Sequence, residues 1–197
     1  MATSKRPNPD RIIDAAMSLA AQSRWREVTL SNIAVEAKIS LVQLHEIFRS
    51  KSEIIAAFGD RVDRSVISGT EADVGSEPVH DQLLDILMRR LEELAPHKNG
   101  IASILRDTTC DPGAAICASI GVLRRMAWCL EAVGVGSAGV AGRIRTKGLA
   151  AIYLSTLWVW LHDDSLDQGR TLAHLDKSLR RAERLAIVLS LAPRGLR

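Results

Sequence analysis

Two serine-centred patterns stand close together in the segment 39–55, and both use residue types that form hydrogen bonds at helix starts. Ser40 is followed three residues later by Gln43, and Ser50 by Glu53. In such a capping box the serine hydroxyl accepts from a backbone N–H, while the longer side chain reaches back to the serine N–H. The two boxes leave room for a helix of about two turns, which is too short to be stable alone. Neighbouring helices must therefore hold it in place for an external contact.

All the elements around this short helix are predicted to be helical. Apolar residues recur at helical spacing in every long segment, and no segment alternates apolar and polar residues as a half-buried strand would. Asn8 followed by Pro9 starts the first helix, Thr29 caps the second, and Asp111 starts a later one. We expect an all-α fold of about nine helices.

Three parts are expected along the chain. Residues 1–50 would form a three-helix domain, 51–67 a connecting helix, and 68–197 a larger helical domain for ligand binding and dimerisation. The segment 68–81 is the best boundary, because it carries two Gly, a Pro and a cluster of acidic residues. In the first part, a helix, a turn and the short Leu41–Phe48 helix match the helix-turn-helix arrangement. Its second helix enters the DNA major groove.

Composition indicates a soluble protein, and the lack of catalytic motifs indicates that it is not an enzyme. Among the 197 residues, 47% are hydrophobic and 25% charged, and the net charge is only +3. Three cysteines without CxxC spacing favour a reduced, cytoplasmic protein. The apolar stretch 148–161 is shorter than the ~18 residues of a membrane span. We find no phosphate-binding Gly loop, HExxH or GxSxG motif, and expect no catalytic residue, metal or cofactor.

The segment 11–58 resembles the N-terminal domain of the TetR family of bacterial transcriptional regulators. The residues that carry the resemblance are Ile13, Ala15, Ala16, Thr29, Ile33, Ala34, Ala37, Ser40, Leu44, Phe48 and Lys51. The resemblance implies a homodimeric repressor that binds a pseudo-palindromic operator in double-stranded DNA. A small apolar effector in the larger domain would modulate that binding, with the connecting helix transmitting the change.

The resemblance also implies roles for individual residues. Thr29 would contact a phosphate, and Lys51 would hold a second phosphate at the positive end of a helix. The positions that face bases and backbone are Ser40, Leu41, Val42, Gln43, His45 and Ile47. Leu44 and Phe48 would be core residues.

The short helix departs from the usual family pattern. Lys38 stands where the family usually has Gly. Leu41 replaces a basic or polar residue, Val42 replaces a small one, and His45 replaces Tyr. Gln43 can read adenine, and apolar side chains can meet a thymine methyl, but phosphates are attracted weakly. A second hypothesis is therefore a TetR-fold accessory protein, like that of ubiquinone biosynthesis, which binds isoprenoid lipid without specific DNA binding.

The larger domain carries two further predicted sites. A helix over 149–161 is apolar nearly all round and so needs a partner on each side. A seam for helix pairing in a dimer is predicted on the last helix at Leu172, Leu175, Leu179, Ala182, Ala186 and Leu189. An ordinary monomeric core is the alternative. An apolar effector pocket is predicted at Met88, Met126, Trp128, Tyr153 and Trp158, although such residues often form plain core.

Overall fold

The computed structural model describes residues 8–70, 77–165 and 167–191, excluding the side chains of 67–70 and 186–191. Over these residues the chain is helical, with no strand, so the all-α fold class is confirmed. The helices are α1 (Pro9–Gln22), α2 (Leu30–Glu36), α3 (Leu41–Ile47), α4 (Lys51–Thr70), α5 (Val79–Leu94), α6 (Lys98–Thr108), α7 (Pro112–Ala132), α8 (Gly139–Leu161) and α9 (Gly169–Leu191). Short 3-10 turns over Trp25–Glu27 and Ala95–His97 precede α2 and α6.

Helix starts fall where the capping residues predict them. The Asn8 side chain accepts from Asp10 N, and Pro9 takes the first turn of α1. Asp111 Oδ1 accepts from the N–H groups of Gly113 and Ala114 at the start of α7. Each cap satisfies backbone donors that a helix leaves unpaired at its N-terminus.

One compact unit contains the residues up to Ser65 together with Glu93–Gly121. Within it, α1 packs on α2 and α6, and α2 packs on α3. Gly100 marks the close approach of α6 to α1, because a Cβ there would lie 2.9 Å from the Met17 carbonyl oxygen. The fully buried side chains of Ile12, Ile33 and Leu44 form the centre of this unit.

The second compact unit contains Val66–Glu92 together with the residues from Val122 onward. Its main pairing is α8 against α9. Asp163, in the loop between them, is buried and accepts from the backbone N–H and hydroxyl groups of both Ser165 and Thr171. These hydrogen bonds hold the pKa of Asp163 far below its usual range and cap α9.

One helix of the described residues meets the length and composition criteria for a membrane span. It is α7, whose apolar window is 22% buried, and the same criteria admit core helices of soluble proteins. The sequence prediction considered the stretch 148–161 and did not single out α7.

Candidate nucleic-acid interface

The turn between α2 and α3 is closed by a Schellman motif. Ile39 N donates to Ala34 O at 3.0 Å, and Lys38 N donates to Val35 O at 3.0 Å. Lys38 has φ 55°, the left-handed conformation that this motif requires at the residue after the C-cap. The chain therefore leaves α2 along a defined path and enters α3 with a fixed register.

The first predicted capping box is present and sets the start of α3. Ser40 Oγ accepts from Gln43 N at 3.1 Å, and Gln43 Oε1 accepts from Ser40 N at 3.0 Å. Thr29 and Asn32 form the same reciprocal pair at the start of α2. Each helix of the motif thus begins with its N-cap and N3 backbone donors satisfied by a reciprocal pair of side chains.

The second box differs from the prediction in one hydrogen bond. Ser50 Oγ accepts from Glu53 N at 3.2 Å, as expected. Glu53 Oε2, however, accepts from Arg49 N at 2.8 Å, one residue before the serine. The carboxylate therefore fixes Arg49, within the α3–α4 connection, while the Glu53 backbone N–H is the group that Ser50 caps.

The buried face of α3 anchors it, and the opposite face is open. Leu44 is fully buried and Phe48 nearly so, as predicted for core positions. Leu41, Val42, His45 and Glu46 are exposed, and Ile47 is half-buried. Leu41 and His45, like Val42 and Glu46, are four positions apart and share a helix face, and the two pairs lie side by side as one surface.

Positive charge lies beside α3 rather than on it. The helix itself, Leu41–Ile47, contains no Lys or Arg. Lys38 lies three residues before the first residue of α3, Arg49 lies two residues after its last, and both side chains are exposed. Sequence reasoning did not select these two residues, although their positions on either side of a capped helix were visible.

Lys51 has partners within its own unit. Its Nζ donates to the carbonyl oxygens of Trp25 at 2.7 Å and Val28 at 2.8 Å, and lies 4.7 Å from the Trp25 ring centroid. Burial lowers the pKa of Lys51, and the negative charge of Asp107 partly opposes that shift. The side chain therefore ties the start of α4 to the segment before Thr29, a role that the phosphate-contact prediction did not include.

Helix α6 holds the same segment from the other side. Ser103 Oγ donates to Ser23 O at 3.0 Å and accepts from Trp25 N at 3.1 Å. Asp107 Oδ2 accepts from Arg26 N at 2.7 Å. Sequence analysis missed Ser103 and Asp107, because contacts across 78 to 81 residues leave no local pattern.

Solved structures with the same arrangement are bacterial regulators. The chain is similar to a TetR transcriptional regulator from Nitrosomonas europaea, with 27% identity and a TM-score of 0.74, covering 89% of this chain and 98% of that one. The chain has the TetR fold. Two TetR-family regulators, from Rhodococcus sp. RHA1 and Streptomyces coelicolor, each reach a TM-score of 0.59 over 94% of this chain. The matches cover 96% and 86% of those two chains, respectively, at 17% and 16% sequence identity.

Sequence comparison adds one family. The model of the COQ9 family matches residues 145–186, which span about three-quarters of α8 and of α9. No curated protein matches the chain. The predicted resemblance to the TetR family is confirmed, while the COQ9 match concerns the C-terminal helices only.

The predicted pocket residues of this TetR fold do not share one environment. Met126 and Tyr153 are buried and Met88 is half-buried. Trp128 is 42% exposed, and Trp158 is 67% exposed with its ring 4.6 Å from that of His162. The two tryptophans therefore do not lie in the interior of the described chain.

A buried arginine accompanies the buried tyrosine. Arg90 is 5% exposed, and its Nε donates to the Tyr153 hydroxyl oxygen at 3.2 Å. Its guanidinium also lies 5.6 Å from the Tyr153 ring centroid. The interior of the second unit thus contains a polar pair between α5 and α8 that apolar periodicity alone did not reveal.

The residues of the predicted pairing seam on α9 are partly buried in the subunit and partly exposed. Leu175 and Leu179 are buried within the single chain, Leu172 is 41% exposed, and Ala182 is half-buried. The side chains of Ala186 and Leu189 lie outside the described part of the chain. Leu175 and Leu179 therefore pack in the subunit's own core. The prediction had placed them against a second copy.

An exposed apolar stripe runs along α8 instead. It consists of Val140, Ile144, Leu154 and Trp158, which are 45 to 68% exposed. The opposite face of α8 is buried through Leu149, Tyr153, Leu157 and Trp160. One face of this helix is thus covered within the subunit, and a partner for its exposed face stays a prediction.

Proposed function

We propose that the protein is a cytoplasmic transcriptional regulator that binds DNA through α2 and α3. The capped, register-fixed helix-turn-helix with an open outward face on α3 carries this proposal. The resemblance over 89% of the chain to a TetR regulator supports it. A duplex groove requires a helix held in one register, and the two capping boxes and the Schellman turn supply that constraint.

The DNA contacts divide between backbone and bases. Thr29 at the start of α2 and the cations Lys38 and Arg49 meet phosphates, since all three are exposed around the motif. Ser40, Leu41, Val42, His45 and Ile47 lie along the groove. Lys51 contributes mainly by holding the segment that ends at Thr29, because two of its donors already serve backbone carbonyls.

The regulator acts as a homodimer. The exposed stripe of α8, with the exposed Leu172 and Leu185 on α9, supplies an apolar surface that a second copy would cover. Two copies would then present their α3 helices to successive major grooves of a pseudo-palindrome. Sedimentation at micromolar concentration should show a dimer, and Trp158→Asp should convert it to a folded monomer.

A small apolar effector modulates DNA binding, and the protein is a repressor. The interior of the second unit contributes Met88, Met126 and Tyr153 to this site. The connecting helix α4 would transmit the change, as the family resemblance implies. Titration with apolar ligands should change tryptophan fluorescence and lower affinity for the operator duplex.

The decisive experiment is a selection from random duplexes with dimeric, folded protein. We expect one enriched motif with two-fold symmetry, and binding that falls steeply as salt rises. Replacing both Lys38 and Arg49 with Gln should flatten the salt dependence by about four units, as expected for two lost phosphate contacts in each of the two subunits. Arg184→Gln on α9, an equally exposed cation far along the chain, is the control and should leave the slope unchanged.

A TetR-fold protein that binds isoprenoid lipid without specific DNA binding is the second candidate. Two observations favour it: the COQ9 match to residues 145–186 and the lack of Lys and Arg on α3. It predicts that no motif is enriched, and that native mass spectrometry detects a co-purified lipid. An enriched symmetric motif would decide against it.

A further inference from the structure

The exposed face of α3 offers mainly apolar contacts to a base pair. Val42 is 70% exposed and Leu41 49% exposed, and both lie in the first turn of the helix. The N-terminal residues of a recognition helix are the ones that contact base edges. His45 and Glu46, one turn further along, are the exposed polar side chains of this face.

Gln43, the residue best suited by type to read a base, is engaged elsewhere. Reading adenine requires the carboxamide oxygen and NH₂ group of a glutamine together. The Gln43 oxygen already accepts from Ser40 N at 3.0 Å. Turning the carboxamide towards an adenine would therefore weaken the capping box of a helix of seven residues, which depends on its cap and its packing.

Guanine is also poorly served by this helix. Arg and Lys are the residues that read guanine in the major groove, and α3 carries neither. Thymine is the base whose major-groove edge presents a methyl group, and that group is recognised by apolar contact. The first-turn residues Leu41 and Val42 therefore match thymine better than adenine or guanine, while Glu46, one turn further along, is the residue type that would read cytosine.

We propose that Val42 is the main sequence-determining residue of the protein, and that it recognises thymine through the 5-methyl group. Leu41 extends the same apolar contact towards the neighbouring base pair. The proposal rests on the DNA-binding function proposed above and names the base that the interface reads.

Deoxyuridine tests the proposal directly, because it pairs as thymidine does and lacks only the methyl group. In the duplex enriched by selection, each thymine is replaced by deoxyuridine in turn. At one symmetry-related position, replacement should weaken binding about fourfold per half-site, as expected for one buried methyl group. Val42→Ala should bind thymine and deoxyuridine equally at that position.

Val35→Ala is the matched control. Val35 is 74% exposed on α2, so the substitution removes the same atoms from an equally open site beside the motif. This variant should keep the fourfold preference for thymine. Circular dichroism should show that both variants are folded.

Each contrary result has a separate meaning. An enriched motif whose affinity is unchanged by every deoxyuridine replacement would overturn the thymine assignment and leave DNA binding in place. A Val42→Ala variant that keeps the preference would overturn the role of Val42. If no motif is enriched at all, the proposed function fails and this inference fails with it.

Discussion

The helix-turn-helix and the α8–α9 pair are built from equally regular helices, yet different interactions hold the helices in place. In the first, helices of seven residues carry a side-chain cap at each start and a defined turn between them. In the second, helices of 23 residues are long enough to hold several contacts along each face. Short helices depend on local hydrogen bonds, whereas long ones depend on which face is buried.

This difference separates what each region can tolerate. In the helix-turn-helix, small, exposed hydrogen-bonding groups set the position of each helix. Losing one of them shifts the helix but costs only a modest free energy of unfolding. The α8–α9 pair divides its apolar residues between its own core and an open stripe, so the effect of a change depends on its face. Substitutions on the two faces of α9 provide the strongest test of that division.

The largest effect is expected at Leu175, which is fully buried in the single chain. Leu175→Asp should remove the packing of the leucine and place a carboxylate in an apolar interior. We expect the free energy of unfolding to fall by at least about 4 kcal/mol, enough to unfold a domain of ordinary stability. Thermal unfolding followed by circular dichroism measures the change.

Leu172→Asp is the matched substitution on the open face of the same helix. Because Leu172 is 41% exposed, the subunit should stay folded and lose only about 1 kcal/mol, while self-association weakens. Sedimentation should separate the two outcomes. Similar unfolding by both variants would mean that α9 does not divide its faces as the structure shows.

The loop between α8 and α9 should give the next largest effect. Asp163→Asn removes the charge that accepts from both Ser165 and Thr171, and should lower the melting temperature. The folded pKa of Asp163 lies below the unfolded value near 3.8, so its contribution is complete above that pH. It is lost as pH falls towards the folded pKa.

The wild-type protein should therefore lose more stability than Asp163→Asn when pH is lowered from 6 to 3. Glu92 is exposed, and Glu92→Gln serves as the control with little effect on the melting temperature. Parallel stability curves for the wild type and Asp163→Asn over this range would show that Asp163 is not held ionised by its loop.

Local signals explain how much of the fold was predictable. Asn8, Thr29, Ser40 and Asp111 marked helix starts because each cap acts within three residues of its own position. The family resemblance then extended these elements to a complete fold. Glu53 shows the limit of such patterns, since its carboxylate reached a backbone N–H one residue before the predicted one.

The candidate sites were less predictable because they depend on contacts between distant segments. A helix that is apolar nearly all round does not reveal which side is internal, so Trp158 was assigned to a pocket although its side chain is exposed. The 3-4 spacing of Leu175 and Leu179 is the same for a dimer seam and for packing within a subunit. Likewise, no local pattern joins Ser103 to Trp25.

Lys51 sharpens the comparison from the side of the helix-turn-helix. Lys51→Met keeps the aliphatic stem but removes two hydrogen bonds to carbonyls and the charge beside the Trp25 ring. Because the side chain is half-buried, we expect the free protein to lose about 1–2 kcal/mol of unfolding free energy. A residue that only contacts phosphate would leave the stability of the free protein unchanged, as Lys38→Gln should. If Lys51→Met melts at the same temperature as the wild type, Lys51 acts as a phosphate contact and not as a structural tie.

The smallest effect is expected at the turn itself. Lys38 has φ 55°, a conformation that costs a side-chain-bearing residue about 1–2 kcal/mol and costs glycine almost nothing. Glycine loses more backbone entropy on folding, by about 0.5–1 kcal/mol, so Lys38→Gly should stabilise the protein by roughly 0.5–1 kcal/mol. Lys38→Ala removes the same charge but keeps the unfavourable conformation, so its stability should stay close to that of the wild type. If both variants bind DNA with the same loss of salt dependence, while only the glycine variant unfolds at a higher temperature, the charge and the backbone strain of Lys38 act independently. Equal melting temperatures for the two variants would instead show that the Schellman turn holds Lys38 in this conformation without measurable strain.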